Sequence, residues 1–137
     1  MGDLVDRDTA HLDLLTLLHY AAAGVTGLIA CFPLIHVTIG ALLAFTPNTL
    51  GHGKHAAPRE VGLMFMGMGL AFVTIGWLFA GAHFFIARSL KHRRRFIPCV
   101  VLSCITCLAC MFTSAVVSIP TLIILFRPGV KDSFQSP

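Results

Sequence analysis

The sequence predicts an all-α integral membrane protein of three transmembrane helices, the first of them long and kinked, and three observations lead there. Apolar residues make up 56% of the chain and charged residues 12%, against the roughly 25% charged residues of a water-wetted domain. The charges are also segregated: no Asp, Glu, Lys or Arg falls within residues 14–45, 61–87 or 96–126. Each run is longer than the ~20 residues that cross a bilayer. With 137 residues, the chain has room for a single membrane domain, 1–137, with spans expected at 17–45, 61–88 and 96–126.

The first residues, Met-Gly-Asp-Leu-Val-Asp-Arg-Asp, are acidic where a signal peptide is basic. The first span is therefore expected to stay in the mature protein. Asp6 stands where a myristoylation signal on Gly2 wants Ser or Thr. Asp8-Thr9 offers a helix N-cap, and Leu12, Leu15, Leu18 and Ala22 follow at helical spacing. The 14–45 run would be about 48 Å long as a straight helix, against a hydrocarbon core of roughly 30 Å. The excess predicts an interfacial start near residues 11–20 and a bend at Pro33, which lacks a backbone donor.

Residues 46–60 are rich in Pro, Gly and Asn and read as a loop. Pro58 suits the first turn of the next helix, and Glu60 suits its positive end. The second span carries two small-xxx-small pairs, Gly67/Ala71 and Gly76/Ala80, which allow close helix packing in lipid. The basic stretch after it, Arg88, Lys91, Arg93, Arg94 and Arg95, reads as an anchor on anionic lipid headgroups or on an acidic partner subunit. A nucleic-acid role would need an exposed domain, for which there is no chain left. The third span holds Pro98 and Pro120 and ends at Arg127-Pro128-Gly129. One alternative stays open: Pro120 and the polar 113–118 stretch can make the last segment re-entrant, which would bring Lys131 back to the N-terminal side. With three full spans, positive charge puts the N-terminus and the 88–95 loop in the cytoplasm of a bacterial inner membrane and the C-terminus outside.

Three histidines, His19, His36 and His83, lie in apolar runs, where an ionisable side chain is a functional candidate. A neutral imidazole can ligate a haem iron or a chlorophyll magnesium. His36 and His83 differ in depth along antiparallel spans by about 19 Å at ~1.5 Å per residue, so each is a candidate only as a single axial ligand. The plainer reading sets His19 and His83 at the headgroups, with His36 bonded to a neighbouring helix. Cys104, Cys107 and Cys110 have the spacing of part of an iron–sulfur run, but on a helix they fan over the surface and suit packing better. His52 and His55, with Lys54 between them, lack the further ligands that zinc wants. No carboxylate lies inside any span, so the usual parts of a proton relay are missing, and no catalytic set is expected.

His19-Tyr20 with Gly24, Cys31-Phe32-Pro33-Leu34-Ile35-His36 with Gly40, Gly76-Trp77, the Arg93–Arg95 triplet with Phe96, and Arg127-Pro128 with Val130-Lys131 and Phe134 together resemble a family of small, uncharacterised bacterial three-helix membrane proteins over most of the chain. The chain departs from that pattern in its third span, where cysteines replace other residues and a Pro/Gly-rich stretch is missing. The resemblance implies the topology and supplies no activity. The function expected is that of a small, non-catalytic accessory subunit of a larger membrane complex handling electron transfer in respiration or photosynthesis. A haem- or chlorophyll-binding membrane protein and a free-standing structural homo-oligomer are the alternatives.

Overall fold

The computed structural model describes residues 2–46, 58–93, 96–108, 112–127, 130 and 134. The described chain is all-helical, in five segments: α1 Gly2–Ala30, α2 Leu34–Phe45, α3 Arg59–Lys91, α4 Phe96–Leu108 and α5 Phe112–Leu125. α1 and α2 are two limbs of one bent helix, which makes four helices where the sequence predicts three. Two of them are long and apolar enough to cross a membrane, Ala10–Phe45 and Arg59–Lys91.

The bend falls where the sequence sets it. Pro33 has no N–H to offer Ile29, and the chain closes the gap with tighter bonds: Phe32 N–H donates to Ile29 O at 3.0 Å and Leu34 N–H to Cys31 O at 3.0 Å. These span three residues, as in a 3₁₀ turn, and mark the bend. The N-terminus differs from expectation. Asp8-Thr9 does not cap α1, which already runs as helix from Gly2; acidic side chains in a first turn favour helix through the macrodipole as well as by capping. α3 begins one residue after Pro58, whose carbonyl accepts from Val61 N–H at 3.0 Å. It carries Glu60 in its first turn and Arg88 and Lys91 in its last, matching the helix dipole at both ends.

The third predicted span is overturned as a straight element. In a continuous helix Thr106 and Ser118 would stand about 18 Å apart. Their hydroxyls are 2.9 Å apart, so the chain doubles back between them, and α4 packs along α5 as an antiparallel helical hairpin. Phe96, at the start of α4, meets Phe134, beyond the end of α5, edge to face at 5.7 Å. The two ends of the hairpin are thereby tied together.

The chain divides into two compact units. In Gly27–Leu78 the end of α1 and all of α2 run antiparallel to the first part of α3, at backbone distance. A Cβ on Gly40 would lie 2.5 Å from the Met66 nitrogen, and one on Gly62 would lie 2.6 Å from the Ala44 nitrogen. A Cβ on Gly76 would meet the Ala30 side chain at 2.5 Å. In the other unit, Met1–Thr26 with Phe79–Pro137, an apolar cluster gathers Leu12, Leu15, Ile86, Leu90, Cys99, Leu125 and Val130.

Candidate functional site

The second unit, Met1–Thr26 with Phe79–Pro137, has a polar interior. Thr16, His19, Thr26, His83, Ser89, Ser103, Thr106, Ser114, Ser118 and Thr121 are all buried in it. Helical spacing explains the arrangement: Ser114, Ser118 and Thr121 sit four and three residues apart and so share one face of α5, the face turned inward. His19 on α1 and His83 on α3 are both 0% exposed, although the sequence suggests a place for them at the headgroups.

The two imidazoles are joined through their Nδ1 atoms at 3.1 Å. Their outer nitrogens each reach α5: His83 Nε2 is 2.9 Å from Ser114 Oγ, and His19 Nε2 is 3.0 Å from Thr121 Oγ1. The direction of the chain follows from its far end. Thr121 has one hydroxyl hydrogen and donates it to the Val117 carbonyl at 2.7 Å. It must therefore accept from His19, which makes His19 the Nε2–H tautomer when neutral. His19 Nδ1 is then an acceptor, so His83 carries its proton on Nδ1. His83 Nε2 accepts in turn, and Ser114 donates to it. With both rings neutral every hydrogen is assigned and every ring nitrogen is satisfied. Three helices, α1, α3 and α5, are stitched at one point without a charge. A second hydroxyl contact, Thr106 to Ser118, closes the hairpin itself.

This geometry bears on the candidate ligands. Axial ligation needs a ring nitrogen that can face a metal, and both of those on His83 are engaged within the protein. His36 is different. Its ring stacks on Phe65 at 6.1 Å, and its Nδ1 is buried without a hydrogen-bond partner. Among the described residues no three His, Cys, Asp or Glu side chains gather as a metal site; Cys31, Cys99, Cys104 and Cys107 are free thiols. Of the small-residue pairs, Gly76 and Ala80 are buried, whereas Gly67 and Ala71 lie exposed, with nothing within 4 Å of a Cβ on Gly67. Arg88, Lys91 and Arg93 are exposed. Arg94, Arg95, Cys110, Lys131 and the His52–His55 segment lie outside the described residues.

Sequence reasoning sees His19 and His83 at similar levels but misses their bond and both hydroxyl partners. The available signal is the spacing of Ser114, Ser118 and Thr121, four and three residues apart, in a largely apolar run. No family model matches the chain, nor does any curated protein or solved structure.

Proposed function

We propose that the protein is a membrane-embedded, non-catalytic subunit of a larger membrane assembly, with two helices crossing the bilayer and a hairpin entering and leaving it at one face. The observation that carries this reading is an inversion of polarity. Ten hydroxyl and imidazole residues are buried beside the apolar cluster, while among the described residues thirty large apolar side chains, Leu28, Phe72, Leu78 and Val116 among them, stand exposed. In water such a surface would drive association; in hydrocarbon it is solvated. The hairpin agrees. Each arm is about 20 Å long at ~1.5 Å per residue, short of the roughly 30 Å core. Leu108, at the turn, is 81% exposed, and residues 108–112, Leu-Ala-Cys-Met-Phe, carry no polar side chain. An aqueous loop would not be built so.

The hairpin changes the orientation drawn from three spans. The C-terminus joins the N-terminus and the basic 88–95 stretch on one face, so Arg127 and Lys131 add to the positive side and leave Lys54 and Arg59 on the other. By the positive-inside rule both termini are cytoplasmic. An accessory role fits the His19–His83 pair, whose ring nitrogens are all engaged within the chain by each other, Ser114 and Thr121. Electron-transfer assemblies are the class we favour, from the sequence.

The test is migration on a native gel after mild-detergent extraction from the source membrane. Co-migration with a large assembly supports the subunit reading; migration at the size of one or a few copies removes it. A second reading, a haem or chlorophyll protein using His36, is favoured by the unbonded Nδ1 of that residue. The purified chain would then absorb in the visible, and His36→Leu would abolish the band; a colourless wild-type protein excludes it.

A further inference from the structure

We propose that the mouth of the hairpin binds the phosphate of an anionic phospholipid, with Arg88, Lys91, Arg93 and Arg127 as its cations. The proposal rests on the membrane reading above and adds to it a specific ligand. Read along a straight third span, Arg127 belongs at the far end from Arg88. The hairpin brings it back. Leu90, which lies between Arg88 and Lys91, belongs to the same buried cluster as Leu125 and Val130, on either side of Arg127. Val130 N–H donates to the Arg127 carbonyl at 3.1 Å, turning the chain so that Arg127 sits at the rim and Val130 inside. Arg88, Lys91, Arg93 and Arg127 are all exposed, and the Phe96–Phe134 ring pair packs against the apolar cluster that Leu90, Leu125 and Val130 share.

Arg88 and Lys91 lie in the last turn of α3 and Arg127 two residues beyond the end of α5, where a cation is favoured by the dipole alone. Arg93 is not explained that way. It lies past the end of α3 with φ of 49°, a left-handed conformation that glycine adopts freely and a long side chain does not. Backbone strain retained at a charged rim residue points to a use for the charge. The exposed apolar neighbours narrow that use. Phe126, beside Arg127 in the chain, and Ile97, in the first turn of α4, stand 68% and 74% exposed. They suit acyl chains beneath a phosphate and would be wasted on a free anion or an acidic peptide.

The experiment is thermal unfolding of the detergent-purified full chain, titrated with phosphatidylglycerol, with phosphatidylcholine or with soluble glycerophosphate. Phosphatidylglycerol is expected to raise the Tm, with the other two inert. Arg127→Gln and Arg88→Gln should each weaken the lipid about fivefold, while Arg59→Gln, at the other end of α3, leaves it unchanged. Arg93→Gly separates site from structure: it should raise the lipid-free Tm by roughly 3–5 °C and still weaken the lipid about fivefold. Arg93→Lys should keep the affinity. Equal response to both lipids, an equal effect of glycerophosphate, or an equal loss in Arg59→Gln would each overturn the proposal. Release of the protein from membranes by alkaline carbonate without detergent would instead remove the membrane reading beneath it.

Discussion

The side chains that matter most are the four that meet in the buried chain Ser114–His83–His19–Thr121. Their worth lies less in the bonds than in what each leaves behind when a partner is lost. A hydrogen bond nets about 1 kcal/mol, but a buried group left unsatisfied costs about 1–3 kcal/mol. His83→Leu strands both Ser114 and His19 Nδ1, so the expected destabilisation is roughly 2–4 kcal/mol in equilibrium unfolding. Ser114→Ala strands one acceptor and should cost about 1–2 kcal/mol. Because the two share a bond, the double variant should fall short of the sum by about 1 kcal/mol; full additivity would mean the pair does not interact. The tautomers are testable directly. Nitrogen-15 shifts of the labelled protein should find the proton on Nδ1 of His83 and on Nε2 of His19, and the opposite assignment would reverse the direction of the whole chain. Little of this was legible beforehand. His19 and His83 stand out as ionisable groups in apolar runs, but Ser114 and Thr121 are ordinary residues until a turn brings their face inward.

At the scale of the helices, the two long elements could be read closely because water and hydrocarbon sort charge so sharply. The runs free of Asp, Glu, Lys and Arg end near the observed boundaries at Phe45, Arg59 and Lys91, and Pro33 marks the bend. The third run misleads for a physical reason. Turns are usually recognised by polarity, a correlation that holds because most turns meet water; the sequence between α4 and α5 carries no Gly, Pro or charged residue to mark one. Glycine position is the other element-scale determinant. Gly40 and Gly62 sit where α2 and α3 touch backbone to backbone, with no flexible atom able to give way. Gly40→Ala should therefore cost about 2–3 kcal/mol. Gly67→Ala, on the open face of α3, should stay within about 0.5 kcal/mol of wild type. Comparable losses at the two sites would show that the close approach does not hold the helices together.

For the molecule as a whole, the decisive prediction is where the C-terminus lies. A fluorescent protein that matures only in the cytoplasm, fused after Pro137, should be bright, and alkaline phosphatase fused there should be inactive. The reverse result would restore a third crossing and dismiss the re-entrant hairpin. The composition of the chain leads to long apolar helices at once; it does not say that the third run folds back on itself, because composition counts apolar residues without asking which of them the chain folds back upon.

The hairpin also imposes an order in time. Synthesis delivers α1 and α3, and with them His19 and His83, well before α5 exists. Until the last helix is made, both outer imidazole nitrogens lack the partners that Ser114 and Thr121 supply. The polar stitch is thus the final act of assembly, and a chain cut short after Leu108 would reach the membrane with its helices present and its closure missing. Such a truncated chain should be cleared by membrane proteases far faster than the full one, which a pulse-chase comparison would measure.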